Sequence, residues 1–300
     1  MYDCIIIGGG PAGLTAGIYL ARANKKTLII EKETIGGQIA SSPLVQNYPG
    51  IMSITGAELA NNLYEQVESL NVDIELEEVL EIVPGEIHKV ITDYNTYTAK
   101  TIILATGSKY RLLNIENEDN LLGKGIHFCV RCDGAFYKNK IVAVIGGGNS
   151  AITNAIYLAG LAKKVYLIHR KNKFNCEDKL VNELNKLTNI EILFNSVVSK
   201  IIGNDNLEEI VVMQEDKERK ITIDGLFISI GMDAQTEIAN NILELNQNKY
   251  IITDECKSSI PSIFVAGDCR EKKLRQLATA INDGAISATL AINYLNSEEK

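Results

Sequence analysis

Cys129 and Cys132 stand with two residues between them in the run HFCVRCDGAFY, the one closely spaced pair among six cysteines in a 300-residue chain. At that spacing two sulfurs can close a small disulfide or supply half of a zinc site. A zinc site also needs a second pair, or a Cys/His pair, at matching spacing. The chain has three histidines and no such second pair, so the run points to thiol–disulfide exchange. A helix beginning beside the pair would lower a thiolate pKa and favour that exchange. Asp133 follows directly, and two roles fit it. It can cap the helix, worth about 1 kcal/mol, or it can give and take the proton of a dithiol, which needs a raised pKa. Arg131, between the cysteines, either steadies a thiolate or points to solvent. Cys4, Cys176, Cys256 and Cys269 are scattered and read as small buried hydrophobes.

A second constellation occurs twice. The segment IIIGGGPAGLTAGIYLARANKKTLIIEK, 5–32, matches AVIGGGNSAITNAIYLAGLAKKVYLIHR, 143–170, at a constant offset of 138 without a gap. Each copy reads as an apolar strand, a glycine turn, a helix and a second strand. In the first copy Gly8 makes the tight turn, Gly10 lets the backbone approach a pyrophosphate, and Gly13 lets helix and strand pack closely. The N–H groups at the start of the helix are then free for phosphate. Gly146, Gly148 and Ala151 hold the equivalent places in the second copy. A lone G-x-G-x-x-G is weak evidence, but here both copies have the right setting. The strand that follows separates them. Glu31 offers a carboxylate to a ribose 2′-hydroxyl, as FAD or NAD requires. In the second copy His169, Arg170 and Lys171 stand there, cations suited to the 2′-phosphate of NADP, or to a site descended from one.

The elements that position these groups are strands alternating with helices. TIILATGS at 101–108, LFISIG ending at Gly231 and IFVAGD at 263–268 read as buried strands, and a helix is expected from Gln276 to Leu295. The expected fold is therefore α/β, with two Rossmann-like, three-layer nucleotide-binding domains built on parallel sheets with helical crossovers. The first-domain pattern resumes near residue 238, so the second domain is inserted in the first. Expected boundaries are 1–110 with 238–300, and 111–237, joined by connectors at 108–114 and 232–238. A net charge of −8 and a pI near 5.1 argue against a nucleic-acid binder, which needs a concentrated basic face. No apolar run approaches the ~20 residues that cross a bilayer. Met1 leads straight into a strand-like segment without a basic flank, which places the protein in the cytoplasm.

Together, IIGGGPAGLTAGIY, GGQ at 36–38, Asn47 with YPG, ILATGS at 103–108, CxxCDG at 129–134, GGGNSA at 146–151, HR at 169–170, and AGD with RQ further on are highly specific. Over essentially its whole length the chain resembles the low-molecular-weight, flavin-containing thioredoxin reductase family. The resemblance implies FAD surrounded by Gly8, Gly10, Gly13, Glu31, Gln38, Asn47, Thr106, Gly107, Asp268, Arg275 and Gln276. Asp268 would lie near the ribitol chain and Gln276 near the isoalloxazine ring. Cys132 would face the flavin, Cys129 would attack the disulfide of thioredoxin, and Asp133 would serve the dithiol. A homodimer is implied, as is movement of one domain relative to the other about the connectors.

Departures from the family pattern fall in the second copy. Thr153 and Asn154 replace a pair of glutamates, and the run from His169 to Asn175 carries Lys171 and Asn175 where relatives have arginines. Lysine cannot reproduce the bidentate grip of arginine on phosphate. At ~1.5 to 3 kcal/mol per charged hydrogen bond, one lost contact weakens NADPH binding roughly tenfold or more. The expected donor is therefore ferredoxin, as in the pyridine-nucleotide-independent members of the family, ahead of NADPH held by a modified clamp. Lys138, Lys140, Lys171, Lys173, Lys272 and Lys273 are the basic residues available to dock an acidic ferredoxin. A flavin-binding redox sensor that has lost turnover is the alternative from another class.

Overall fold

The structure is a computed structural model, and it describes residues 1–215 and 217–298. The chain divides into two compact units. The first comprises Met1–Lys109 with Asp233–Lys300, and the second comprises Tyr110–Met232.

In the first unit the run YDCIII forms β1 (Tyr2–Ile7), and the turn after it leads into α1 (Pro11–Arg22) and β2 (Thr27–Glu31). Next come α2 (Gly56–Glu68), β3 (Asp73–Leu76), β4 (Val79–Val83), β5 (His88–Thr92), β6 (Thr96–Leu104) and β7 (Ser108–Tyr110). The strands order as β3-β2-β1-β6-β5-β4, with a later strand, Ile263–Val265, parallel to β6. β1, β2, β3 and β6 run parallel, while β4 and β5 add an antiparallel extension.

Ile5, Ile6 and Ile7 are all buried because both faces of this sheet are covered. Ile6, Ile29 and Ile103 pack with Leu14 and Ile18 of α1 and with Ala288 and Ala291 of the C-terminal helix, Leu277–Glu298. Ile5, Leu28 and Ile102 face the opposite way, towards Ile82, Val90 and Leu243. Each fully buried isoleucine contributes roughly 1.5 to 3 kcal/mol of burial free energy. Among the described residues no helix is long and apolar enough to cross a membrane.

Helix α2 begins at Thr55, whose hydroxyl accepts the Glu58 N–H at 3.2 Å. Thr55→Ala is expected to cost about 1 kcal/mol, read as a lower urea midpoint by far-ultraviolet circular dichroism.

The second unit opens with β8 (Ile126–His127), the one-turn α3 (Val130–Asp133), β9 (Ile141–Ile145), α4 (Asn149–Ala159), β10 (Lys164–Ile168), α5 (Asp178–Leu184) and β11 (Ile190–Leu193). The antiparallel ribbon β12 (Ser196–Gly203), β13 (Leu207–Gln214) and β14 (Lys217–Thr222) follows, then β15 (Gly225–Ile228) and β16 (Met232–Ala234). The main sheet is parallel in the order β11-β10-β9-β15-β8. Val142, Val144 and Leu167 pack on Ile152 and Ala155 of α4. Ala143, Ile145 and Ile168 face Ile201, Ile210 and Ile221 of the ribbon. This sheet is thus layered between helices on one side and strands on the other, and both faces still exclude water.

The returning chain adds β17 (Ile263–Val265) and α6 (Leu277–Glu298) to the first unit. At the two crossings each unit ties down its own end. The Gln235 N–H donates to the Gly107 carbonyl at 3.0 Å in the first unit, and the Arg111 N–H to the Gly231 carbonyl at 3.2 Å in the second.

Candidate active site

The redox pair belongs to the second unit. β8 ends at His127, Phe128 stacks on Tyr110 at 4.6 Å between ring centres, and Cys129 takes the N-cap position of α3. Cys129 and Cys132 are joined as a disulfide. The Cys132 N–H donates to Cys129 Sγ at 3.2 Å, and the Asp133 N–H donates to the Cys129 carbonyl at 3.0 Å. Both cysteines are half-buried. Val130 anchors the turn by packing into the core beneath α4. Arg131 is exposed, with its guanidinium 5.9 Å from the centre of the Tyr157 ring.

Asp133 is not the cap of this helix, because Cys129 holds that position. The carboxylate instead turns into the protein. Its Oδ2 lies 3.2 Å from His127 Nδ1, and His127 Nε2 lies 2.6 Å from the Tyr137 hydroxyl. All three residues are buried. Burial pushes the Tyr137 phenol up to about 12, with the charges of Asp133 and Asp224 adding to the effect. Reasoning from sequence missed His127 and Tyr137. The signal was present: one of only three histidines stands two residues before Cys129.

The first glycine turn lies in the other unit, at the C-terminal end of β1, where parallel α/β sheets bind ligands. Gly8 has a φ of +111°, and a Cβ on Gly13 would stand 1.9 Å from the Gly8 carbonyl oxygen, so neither position tolerates a side chain. Gly10 is the N-cap of α1, with no side chain capping the helix and open space where a Cβ would project. Glu31 ends β2, and its carboxylate accepts the Gly9 N–H at 2.7 Å and the Glu33 N–H at 2.8 Å.

The remaining predicted cofactor residues also lie in the first unit. Gln38 donates to the Ser108 carbonyl, and Thr106 donates to the Gln235 carbonyl beside Gly107, whose φ is +72°. Asn47 Nδ2 donates to Gln276 Oε1 at 3.1 Å, and Gln276 Nε2 donates to the Arg275 carbonyl at 2.8 Å. The Arg275 guanidinium covers the Tyr250 ring at 3.9 Å. Asp268 follows β17, and its buried Oδ1 makes no hydrogen bond although Lys272 Nζ stands 3.1 Å away. Ser108 Oγ is likewise buried and unpaired. A phosphate cradle, a fixed carboxylate at a strand end and the buried, unpaired Ser108 hydroxyl fit FAD.

The second turn departs from the first. A Cβ on Gly147 would meet the His169 ring at 2.2 Å, so the imidazole lies flush against the turn. His169 is buried, its Nε2 is 3.1 Å from the Lys173 carbonyl, and Phe174 lies 5.6 Å away between ring centres. The Asn175 N–H donates to the Gly147 carbonyl at 2.8 Å. Burial lowers the His169 pKa, the Lys173 carbonyl opposes this, and the charges of Lys171 and Arg170 lower it further. The net direction is down, which corrects the expectation of a cation there: His169 is neutral near pH 7. Arg170 and Lys171 remain exposed. Gly148 ends the turn beside Asn175, and Ala151 is buried in α4. Asn154 is tied to Ser229 Oγ at 2.9 Å.

Two further corrections concern Lys272 and the lone cysteines. Lys272 cannot serve a docking patch, because its side chain is 7% exposed and paired with Asp268 and Asp283. Cys4, Cys256 and Cys269 are buried, whereas Cys176 is only half-buried.

Comparison with known proteins accounts for the whole chain. The family described as "Pyridine nucleotide-disulphide oxidoreductase" matches residues 2–284. A thioredoxin reductase of Ureaplasma parvum is 43% identical over 98% of this chain and 97% of its own. A 34.2 kDa protein in the rubredoxin operon of Clostridium pasteurianum is 39% identical over 99% and 98%. The crystal structure of thioredoxin reductase from Streptococcus pyogenes, 38% identical, covers 99% of both chains with a TM-score of 0.96. Duplicated glycine turns, a disulfide at a helix cap and full-length likeness converge: the chain belongs to the pyridine nucleotide-disulphide oxidoreductases and, among them, to the low-molecular-weight thioredoxin reductase family.

Proposed function

We propose that the protein is an FAD-dependent thioredoxin-disulfide reductase, and that the Cys129–Cys132 disulfide at the head of α3 is the group through which its electrons leave. FAD, when bound, supplies a two-electron store. Gly8, Gly10 and Gly13 would admit its pyrophosphate, Glu31 its ribose, Asp268 its ribitol and Gln276 its ring end, with Gln38, Asn47, Thr106, Gly107 and Arg275 around them. Cys132 would be the cysteine that takes electrons from the flavin. Reduction breaks the Cys129–Cys132 bond, and Asp133 serves the proton. The Cys129 thiolate then attacks the disulfide of thioredoxin, and Cys132 attacks the resulting mixed disulfide, so reduced thioredoxin leaves and the internal disulfide re-forms. A homodimer working in the reducing cytoplasm belongs to the same reading.

For the donor we favour a ferredoxin. What supports it is the second turn: His169 is neutral and packed on Gly147, Asn175 is bound by its backbone to that turn, and Asn154 is engaged with Ser229. That leaves Arg170 and Lys171 to grip a 2′-phosphate. The same two exposed cations, with Gly146 and Gly148 intact, favour the second reading, NADPH in a modified clamp.

One experiment tests both levels. Oxidised holoprotein is mixed anaerobically with reduced ferredoxin, NADPH or NADH, and the flavin absorbance is followed. Reduced ferredoxin is expected to bleach the flavin and to drive thioredoxin reduction. Rapid bleaching by micromolar NADPH would transfer the donor role to the nucleotide. If no donor drives thioredoxin reduction, the protein is a sensor.

A further inference from the structure

Beside the redox pair lies a hydrogen-bonded line of three buried side chains from three elements. Asp133 closes α3, His127 closes β8, and Tyr137 lies in the turn that leads to β9. The carboxylate is 3.2 Å from one imidazole nitrogen, and the phenol oxygen is 2.6 Å from the other. The histidine cannot turn away. Its ring is stacked 5.4 Å from Phe227 of β15, and Tyr137 meets Phe227 edge-on at 5.3 Å. Tyr137 is fixed in turn by Gly225, where a Cβ would stand 2.3 Å from its ring. Each nitrogen of the imidazole therefore has one partner, which sets its orientation.

We propose that His127 is the positioning residue for Asp133 and the store of the proton that Asp133 delivers to the dithiol. This rests on the reading of the protein as a flavin-dependent disulfide reductase. Reducing the pair breaks one S–S bond and forms two S–H bonds. Bound flavin, once reduced, would supply two electrons and one proton. The second proton passes from the protonated imidazole through the Asp133 carboxylate, and solvent recharges the imidazole. Asp133 alone, one residue from Cys132 and buried, would have to hold that proton itself. With His127 Nδ1 3.2 Å away, the carboxylate has a second group beside it that can hold the proton.

The groups facing the imidazole are few. Asp133 lies on one side and Tyr137 on the other, and Phe227 closes the face. The Lys140 ammonium stands 5.3 Å from the Tyr137 ring centre, and the Asp224 charge also acts on that phenol. Burial keeps Tyr137 protonated at neutral pH, so its hydroxyl is always present as a partner.

The test uses the holoprotein reduced with dithiothreitol. The rate of iodoacetamide alkylation of Cys129 and Cys132 is followed against pH by mass spectrometry, and thioredoxin turnover is measured in parallel. The wild-type alkylation profile is expected to contain a second ionisation step besides that of the thiol. His127→Asn should remove that step and lower turnover by roughly tenfold to a hundredfold, within the range of proton-transfer assistance. Tyr137→Phe should keep the step but move it. A His127→Asn profile identical to wild type would reduce the residue to a packing role and overturn the proposal. Should that variant not fold, the imidazole resonances of the wild-type protein decide: a His127 titration that shifts when the disulfide is reduced supports the proposal, and one indifferent to redox state overturns it. A His127-dependent alkylation step in a protein that never reduces thioredoxin would instead defeat the assignment of function and leave the coupling standing.

Discussion

Cys129→Ser and Cys132→Ser are each expected to reduce thioredoxin turnover by about three orders of magnitude or more, as loss of a nucleophile does elsewhere, while the flavin stays bound. A serine hydroxyl forms no disulfide and ionises far above working pH, so it can neither accept the electrons nor attack a partner. The fold around it should survive, because Cys129 is an N-cap and serine is among the best residues for that position. No other thiol can take over. Burial pushes Cys4 and Cys256 up to about 12, and it raises Cys269 and Cys176 as well. Turnover with thioredoxin and the flavin absorbance of the purified variants are the two readouts. Flavin lost together with activity would mean that the pair supports the cofactor site rather than the exchange.

Asp283→Ala is expected to cost about 3 to 5 kcal/mol, the range for removing one partner from a buried ion pair. Asp283 is 1% exposed, yet it carries the charge that holds the loop after β17. Its oxygens accept Arg270 Nη2 at 2.7 Å, Arg270 Nε at 2.9 Å, Lys272 Nζ at 3.0 Å and the Gly267 N–H at 3.1 Å. Alanine would leave Arg270, with a side chain only 15% exposed, without its buried counter-charge, and Lys272, 7% exposed, with Asp268 alone. Burial by itself raises the Asp283 pKa, but the hydrogen bonds from Arg270 and the charge of Lys272 outweigh it, and the net direction is down. A folded-state pKa below the unfolded value of about 3.9 gives stability that is present above that pH and lost as pH falls through the folded value. The wild-type advantage over Asp283→Asn should therefore be full at pH 7 and shrink in acid below about pH 4. Urea titrations of wild type and both variants, at neutral and acid pH, read this directly. A penalty below about 1 kcal/mol for Asp283→Ala, no more than an exposed pair gives, would show that solvent takes over the two cations.

Legibility in the sequence followed distance along the chain. The duplicated strand, turn and helix could be read because every constraint lies within thirty residues: Gly13 must clear the Gly8 carbonyl, and the isoleucines of β1 must be covered on both faces. The antiparallel additions, β4–β5 and β12–β14, were not legible. Their residues, such as the mostly charged KERKIT of β14, show no continuous apolar run, and their pairing is set by partners elsewhere. The same limit governs single side chains. His169 read as a cation because Arg170 and Lys171 follow it, but its charge is decided by Gly147 and Phe174, which bury it. Lys272 read as a surface cation because Lys273 follows it, but Asp283, eleven residues on, draws it inward. For Asp133 the sequence left two roles open, cap or proton carrier, because the partner of its carboxylate, His127, lies six residues back in another element.

The mooring of Glu31 has a wider consequence. A carboxylate already held by the Gly9 and Glu33 amides cannot swing aside, so a phosphorylated ribose arriving at that strand end would meet a fixed anion. On the proposed reading, like-charge exclusion would then sort the two turns, which share one template: the first would disfavour a ribose carrying a 2′-phosphate, whatever the rest of the molecule.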